Sequence, residues 1–275
     1  SPQGLSRILQ NMESELDTTL LLRSKSGITL TESGQALLKY ASGITGSWHV
    51  LEQEIKNIEN QRRGEVDLLS AYGILRLLTP ECLIDFKEKY PDITFTYREF
   101  PDCQVERLFL EKEGNLAFSI GPFQSGLYDV TELESFPISL LVNRKHPLSS
   151  RSSVTIQDLK GEKLYIENSE FKIYHLICDR CREAGFTPDI AFETSGFSLC
   201  HKMCAQNKGI TVTVDFIFDD MSHPDMVMLP FADGKYLWSA CMLTRRGEYV
   251  SRETELFQRH VMRWMQDIAA GKILR

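Results

Sequence analysis

Residues 1–34 read SPQGLSRILQNMESELDTTLLLRSKSGITLTESG, and this stretch decides the fold of the N-terminal region. Ser1 suits the N-cap of a helix, and Pro2 suits its first position, where no intrahelical N–H is needed. Apolar residues then recur at steps of three and four, which places them on one helix face. They are Leu5, Ile8, Leu9, Met12 and Leu16. The spacing predicts an amphipathic helix whose apolar face, including Leu5, Ile8 and Met12, belongs to a core.

Two short strands are predicted after this helix, at residues 20–23 and 28–30. Residues 24–27, with the sequence Ser-Lys-Ser-Gly, are turn formers and separate the strands. The order of helix, hairpin and a following Leu30-Thr31-x-x-Gly34 junction predicts a winged helix, in which the hairpin is the wing.

Three segments carry a family resemblance: residues 1–7 (SPQGLSR), Leu20-Leu21-x-Arg23 and Leu30-Thr31-x-x-Gly34. They resemble the winged helix-turn-helix of LysR-type transcriptional regulators. By comparison with the family's usual three-helix unit, the chain is expected to lack roughly 25–30 residues before Ser1. The resemblance implies a sequence-specific reader of double-stranded operator DNA.

The resemblance also implies which side chains contact DNA. It places four residues on the groove-facing start of the recognition helix and two on the wing. These are Pro2, Gln3, Ser6 and Arg7, followed by Arg23 and Lys25. Arginine and glutamine are residue types that read guanine and adenine edges, whereas cations on a wing contact phosphates or the minor groove.

A second long helix is predicted from Gln35 to Asn60, which contains no proline. Its apolar positions alternate steps of four and three, as in a heptad seam. They are Leu37, Ala41, Ile44, Trp48, Leu51, Ile55 and Ile58. Such a seam alone is compatible with a helix that packs on its own domain. The resemblance implies instead the family's linker helix, which pairs two subunits into a homodimer, with a tetramer as a further possibility.

Strands and helices alternate beyond Gly64. Strands are predicted at 65–71, 93–98 and 116–120, with helices at 74–90 and 101–113 between them. A strand at 136–143 leads to a second lobe in which strands and helices alternate again, strand 237–243 returns, and a helix at 251–269 closes the first lobe. This alternation predicts a doubly wound α/β fold with parallel strands.

The whole pattern is similar to the effector domain of LysR-type regulators and, more distantly, to bacterial periplasmic binding proteins. The implied organisation is a partial winged helix-turn-helix at 1–33, a linker or dimerisation helix at 34–63 and a two-lobed effector-binding domain at 64–275. Lobe I is predicted to comprise 64–143 and 237–275, and lobe II 144–236.

A small-molecule effector is expected in the cleft where strand ends and helix starts of the two lobes face each other. The free N–H groups of helix starts suit an anion, but the acidic and aromatic residues also fit an aromatic, neutral or amine-bearing effector. The candidate residues are Ala71, Tyr72, Gly73, Ile74, Glu99, Phe100, Gly121, Pro122, Phe123, Glu167, Asn168, Ser169, Thr194, Ser195, Gly196 and Phe197.

The composition favours a protein of the bacterial cytoplasm. The chain has 275 residues, 42% of them hydrophobic, and a net charge of −7. No apolar run approaches the roughly 18 residues of a membrane span. Charges cancel within residues 1–63, which argues against a general nucleic-acid coat protein. No cofactor and no membrane partner are expected, and RNA polymerase is expected to respond indirectly, through altered DNA bending.

Seven cysteines leave two alternatives open. Cys178-x-x-Cys181 and Cys200-x-x-x-Cys204 could hold zinc, although both pairs lie on apolar helix stripes and suit buried thiols. A redox sensor is the other alternative, since the family includes peroxide sensors that pair two cysteines. Cys181 resembles one of those positions, but Lys172 stands at the other.

Two other classes of protein compete with this interpretation. The sequence has no nucleophile elbow, dinucleotide-binding glycine motif, phosphate loop or His-Glu-x-x-His motif, which argues against an enzyme. Asp219-Asp220 is interpreted as part of a solvated loop. A solute-binding receptor would explain the two lobes alone, but not the N-terminal reader.

Overall fold

The computed structural model describes residues 2–24, 27–59, 64–221, 224–234 and 236–273. The chain forms two compact units. The first contains Ser1–Arg62 with Gly247–Tyr249, and the second contains Arg63–Arg246 with Val250–Arg275. None of the helices in the described part of the chain is both long and apolar enough to cross a membrane.

The first unit consists of two helices with a hairpin between them. Its elements are α1 (Pro2–Glu15), β1 (Leu21–Ser24), β2 (Gly27–Leu30) and α2 (Glu32–Glu59). The strands are antiparallel, with Leu21 opposite Leu30 and Arg23 opposite Ile28, as the winged-helix pattern predicts. One prediction for α1 is wrong: Ile8 is 58% exposed, because no described element of this unit covers that side chain.

The Leu-Thr-x-x-Gly junction ties the hairpin to α2. The Thr31 hydroxyl donates to the Thr19 carbonyl at 2.7 Å and accepts from the Gly34 N–H at 3.0 Å, so it caps the start of α2. A Cβ atom at Gly34 would lie 2.2 Å from the Leu20 carbonyl oxygen. Only glycine allows this approach, and Leu20 is buried as a result.

The first lobe of the second unit contains a five-stranded sheet. Its elements are β3 (Glu65–Ala71), α3 (Ile74–Leu78), α4 (Pro80–Lys89), β4 (Thr94–Phe100), α5 (Asp102–Leu110), β5 (Leu116–Ile120), β6 (Tyr128–Pro137), β12 (Leu237–Arg245) and α9 (Arg252–Ala269). The strand order is β4-β3-β5-β12-β6. β3 is parallel to β4 and β5, whereas β12 is antiparallel to β5 and β6. The sheet is therefore mixed.

Helices cover both faces of this sheet. Phe118 and Ser119 are neighbours on β5 and point to opposite faces. The Phe118 ring packs on Phe257 of α9, and the Ser119 hydroxyl is 3.2 Å from the Glu106 Oε1 of α5. The α/β fold with helices on both faces is confirmed.

The second lobe contains two smaller groups of strands. Its elements are β7 (Ser139–Asn143), β8 (Lys163–Glu167), α6 (Lys172–Glu183), β9 (Asp189–Thr194), α7 (Phe197–Ala205), β10 (Thr211–Thr213), α8 (Asp215–Asp220) and β11 (Met226–Pro230). β8 and β9 are parallel, and β10-β7-β11 is antiparallel. The Ile210 N–H donates to the Lys163 carbonyl at 2.9 Å and connects the two groups. A Cβ at Gly209 would lie 2.2 Å from that carbonyl oxygen, which explains the glycine there.

Two segments join the lobes side by side. One passes through Ile138, between β6 and β7, and the other precedes β12. The Ile138 N–H donates to the Tyr236 carbonyl at 2.8 Å, so the two connections are hydrogen-bonded to each other. β7 pairs only with strands of the second lobe. The chain therefore changes lobe at Ile138, whereas the sequence placed the change after residue 143.

Three predicted elements differ from the structure. The helix predicted at 74–90 is interrupted at Thr79, whose φ is +64°, because Pro80 disfavours a helical conformation in the residue before it. The strand predicted at 136–143 is the end of β6 and all of β7. Asp219 and Asp220 end helix α8 rather than lie in a loop.

Candidate functional site

A small, partly enclosed cavity of about 30 Å³ lies between the two lobes and is called the enclosed cavity. The first lobe contributes Ala71, Tyr72, Asp102 and Trp238, and the second contributes Glu167, Phe171, Ile173, Phe197, Val212, Thr213, Val214 and Ile217. Four aromatic rings therefore surround two carboxyl groups. Among these described lining residues there is no lysine, arginine or histidine.

A wide cavity of about 1070 Å³ shares Tyr72 and Phe197 with the enclosed one. Its acidic lining residues are Glu81, Glu99, Asp215, Asp219 and Asp220. Arg76 is the one cation among its described lining residues; it forms an ion pair with Asp220, and its guanidinium lies 5.4 Å from the Phe197 ring centroid. The wide cavity is therefore strongly acidic.

A third cavity, of about 470 Å³, shares Ile173 and Trp238 with the enclosed one. Gly121, Pro122 and Phe123 line it, as does Lys172 from the start of α6. Lys172 joins the two lobes at this point.

The Lys172 side chain is held entirely by acceptors of the first lobe. Its Nζ donates to the carbonyl oxygens of Ile120 at 2.5 Å and Pro122 at 2.6 Å, and it forms an ion pair with Glu106. The ammonium also lies 4.3 Å from the Phe123 ring centroid. Both charged side chains are less than one fifth exposed. The sequence did not nominate Lys172, because nothing in its spacing tells where a long flexible side chain ends.

We expect Lys172→Met and Glu106→Gln to be strongly coupled. Each single change leaves a partly buried charge without its partner, whereas the double change removes both charges. A double-mutant cycle by chemical denaturation should give a coupling energy of about 1–2 kcal/mol. Lys160→Met, at an exposed lysine of the same lobe, is the control and should not couple to Glu106→Gln. We call the contacts of Lys172 with Glu106 and the two carbonyl oxygens the Lys172 clamp. Additive effects of Lys172→Met and Glu106→Gln would contradict its role in holding the lobes together.

The two carboxyl groups of the enclosed cavity are unusually hard to ionise. Glu167 is 6% exposed, and burial raises its pKa to about 7, with a further contribution from the charge of Asp102. Burial also raises the pKa of Asp102 to about 6, although the Lys172 backbone N–H, 2.9 Å from Asp102 Oδ1, and the Lys172 charge oppose it. The Glu167 Oε2 atom is buried without a hydrogen-bond partner.

His201 of α7 is a further buried titratable group of the second lobe. Burial and the nearby positive charge of Arg76 lower its pKa to about 4, so the ring is neutral at pH 7. Its Nε2 atom lies 3.0 Å from the Thr213 hydroxyl. His201 therefore supplies no positive charge to balance Glu167.

The structure brings most of the predicted effector residues to these cavities. Ala71, Tyr72, Glu167 and Phe197 line the enclosed one, and Tyr72, Gly73, Glu99, Ser195, Gly196 and Phe197 line the wide one. Gly121, Pro122 and Phe123 line the third. Ile74, Phe100, Asn168, Ser169 and Thr194 line none of the three. Ile74 is fully buried, and Asn168 holds the turn before α6 by accepting the Glu170 N–H at 3.0 Å.

Asp102 was missed although a signal for it exists in the sequence. An acidic residue directly after Pro101, at the start of a helix, sits at the strand end that the cleft rule nominates. Trp238 was missed because it lies on the strand by which the chain returns to the first lobe. Nothing in the sequence around it indicates that this strand borders a cavity.

The predicted DNA-contacting residues lie in the first unit. Arg7 is exposed and Ser6 is half-buried on α1. Lys25 and the side chains of Pro2, Gln3 and Arg23 lie outside the described residues.

The cysteines have the properties of packed thiols. All seven are free, and burial raises the pKa of Cys181 to about 11 and of Cys200 and Cys204 to about 12. A reactive thiolate needs the opposite shift. Within the described part of the chain, no three His, Cys, Asp or Glu residues are grouped so as to hold a metal ion. The structure thus gives neither the zinc nor the redox alternative support.

Comparisons with known proteins agree with this architecture. Residues 59–266 match the family model described as the LysR substrate binding domain. The HTH-type transcriptional regulator YwbI of Bacillus subtilis is 24% identical over 267 residues, which are 97% of this chain and 89% of YwbI. The transcriptional dual regulator GltC of the same organism is 25% identical over 229 residues, which are 82% of this chain and 76% of GltC.

A solved structure shares the fold of most of this chain. The effector-binding domain of QuiR in complex with shikimate superposes with a TM-score of 0.65 at 17% identity, over 74% of this chain and 98% of that domain.

Proposed function

The chain belongs to the LysR-type transcriptional regulators, and we propose that it binds operator DNA through residues 1–33 and responds to a small molecule held between the lobes of residues 64–275. The observation that carries the proposal is the aromatic cavity between two lobes joined by paired connections. Such a cleft changes its opening when a ligand contacts both walls, because the ligand favours the state to which it binds more tightly. The relatives are transcriptional regulators, and we infer no catalytic step.

The proposed effector site consists of the predicted residues that line the three cavities, together with Asp102, Lys172 and Trp238. The Lys172 clamp already bridges the lobes beside the enclosed cavity, so a ligand there would contact groups whose positions depend on closure. If closure of the lobes changes the affinity for DNA, then by linkage DNA binding changes the affinity for the ligand by the same factor.

We propose that α2 pairs two copies of the chain. Four seam residues, Ile44, Trp48, Leu51 and Ile55, are between 43% and 70% exposed within the structure of one chain. An apolar seam of this length on a helix is what a coiled-coil interface requires. A homodimer would present two copies of α1 to two half-sites, and each bound half would raise the effective concentration of the other. A tetramer and an indirect effect on RNA polymerase are compatible with the same arrangement.

Arg7→Ala tests the DNA-binding part of the proposal. The exposed guanidinium lies on the helix face opposite the apolar stripe and can form a bidentate contact with guanine. The probe is a DNA duplex selected from a random library by the intact protein, and the readout is gel retardation. We expect binding to weaken by about 1–3 kcal/mol and base preference to relax at one position of each half-site. Arg252→Ala, at an exposed arginine of α9, is the control for loss of one positive charge. Equal affinities of the Arg7→Ala variant and the unmodified protein would refute the orientation proposed for α1.

A further inference from the structure

We propose that the effector is a cation, with an ammonium group that binds Glu167 and Asp102 in the enclosed cavity and an apolar body that lies among the aromatic rings. This inference rests on the proposed function, since it names the chemical class of molecule that the cleft takes. It depends on three observations. A buried carboxylate oxygen has no hydrogen-bond donor, the cavity beside it has the size of an ammonium group, and the adjoining wide cavity is lined mainly by negative charges.

The first observation is the state of the two carboxyl groups. Asp102 and Glu167 are 4% and 6% exposed, yet the Glu167 Oε2 atom has no hydrogen-bond partner. A buried acceptor left unpaired is unfavourable, and native structures rarely tolerate one unless a ligand, ion or water completes it. Lys172, whose charge acts on Asp102, does not complete Glu167, because its ammonium is used by Glu106 and by two carbonyl oxygens.

The second observation is the shape of the enclosed cavity. Its volume of about 30 Å³ accommodates a group of the size of a water molecule, and an ammonium group is of that size. The rings of Tyr72, Phe171, Phe197 and Trp238 line the same space, and aromatic faces attract cations. Tyr72 and Phe197 also line the wide cavity, which has room for the rest of the molecule.

The third observation is the charge of the wide cavity. Five carboxylates line it against one arginine, and that arginine is paired with Asp220. A cleft lined by charges of one sign raises the local concentration of ligands of the opposite sign. An anion would meet no unpaired cation among the described lining residues of either cavity. A neutral ligand could donate a hydrogen bond to Glu167 but would gain nothing from the acidic lining of the wide cavity.

The experiment compares ligands that share a body and differ in charge. Phenethylamine, 2-phenylethanol and phenylacetate have the same ring and a head group that is cationic, neutral or anionic, and benzylamine supplies a second ammonium on the same ring. Binding to the full chain is measured by thermal unfolding and calorimetry at pH 8. We expect at least one cation to raise Tm by several degrees at a concentration about 100-fold above its Kd. The alcohol and the carboxylate should shift Tm by less than one third as much.

Variants locate the binding site. Glu167→Gln should weaken binding of the cation by at least about tenfold, since a charge-assisted hydrogen bond becomes neutral. Asp102→Asn should weaken it as well. Glu88→Gln removes the same charge from an exposed position on α4, outside all three cavities, and should leave the affinity unchanged. Glu167→Gln preserves the size of the side chain, and measuring its Tm without ligand shows that the variant is folded.

Three results would overturn the inference. One is the absence of binding by both cations, and another is equal stabilisation by phenylacetate or 2-phenylethanol. The third is a cation whose affinity is the same in Glu167→Gln as in the unmodified protein. None of these affects retardation of operator DNA, which tests the proposed function separately. If phenylacetate binds in the cleft and the protein still retards operator DNA, the proposed regulatory function is supported and the proposed cationic class of effector is refuted.

Discussion

Replacing Phe257 by alanine is expected to lower the free energy of unfolding of the second unit by about 3–5 kcal/mol and its Tm by about 10 °C. The ring is fully buried and lies 4.8 Å from the centroid of Phe86, 5.0 Å from that of Phe95 and 6.3 Å from that of Phe118. It therefore connects α9 to α4 and to two strands of the sheet. The loss would combine buried apolar surface with a cavity that surrounding helices cannot fill.

The matched control is Phe192→Ala, at a phenylalanine of β9 that is 51% exposed. Its removal creates no enclosed cavity and should cost less than about 1 kcal/mol. Both variants can be measured by chemical denaturation of the full chain, with the m-value as a check that the same structure unfolds. Similar losses in the two variants would mean that the aromatic cluster around Phe257 does not hold the lobe together.

Glu167→Gln is expected to stabilise the protein at pH 8 and to have little effect near pH 5. The pKa of Glu167 is raised to about 7 in the folded chain, above the ordinary value of 4.5, chiefly by burial and also by the Asp102 charge. The folded state therefore holds this proton more tightly than the unfolded state does. The contribution of Glu167 to stability is complete below pH 4.5 and is lost as the pH rises through 7. A glutamine does not ionise, so the variant does not lose this stability as the pH rises. At pH 8 its free energy of unfolding should exceed that of the unmodified protein by on the order of 2–3 kcal/mol.

The measurement is the free energy of unfolding between pH 4.5 and 8.5, without ligand. The slope for Glu167→Gln should be shallower, though not flat, because the pKa of Asp102 is also raised, to about 6. Cys200 of α7 also lies near Glu167, but its pKa of about 12 keeps it neutral over this range. Glu88→Gln should run parallel to the unmodified protein. A Glu167→Gln variant that is less stable than the unmodified protein at pH 8 would show that the carboxylate is favourably solvated or paired when charged.

The pattern of apolar residues predicted the strands that are buried in the sheet better than β6 at its edge. β3 and β5 were placed at their observed bounds. β5 (LAFSI) is an almost continuous apolar run, which marks a strand that is covered on both faces, and β3 (EVDLLSA) is recognisable by the apolar residues between its polar ones. β6 was missed over most of its length, since YDVTELESFP mixes acidic and apolar residues at the edge of a sheet. Its identity as a strand depends on pairing with β12, more than one hundred residues later, which no local pattern encodes.

The candidate effector site, like the fold, could be predicted only in part from the sequence. The rule that ligands bind at strand ends nominated Tyr72, Glu167 and Phe197, which line the enclosed cavity, because the rule depends only on element order. It could not find Lys172, whose role depends on three acceptors of the other lobe. It also included Asn168 and Thr194, whose backbones are hydrogen-bonded to each other beside β9. Strand-end position therefore predicted the neighbourhood, while tertiary contacts decided which side chains reach the cavity.

The contact between Gly34 and Leu20 has a mechanical consequence for the first unit. At Gly34 no side chain separates the α2 backbone from the Leu20 carbonyl. The Thr31 hydroxyl is also hydrogen-bonded both to the segment before the hairpin and to the start of α2. The hairpin and α2 are therefore held in direct contact. A rotation of α2 about its own axis must therefore carry β1 and β2 with it. If residues 1–33 bind DNA as proposed, such a rotation would displace the hairpin strands relative to the bound duplex.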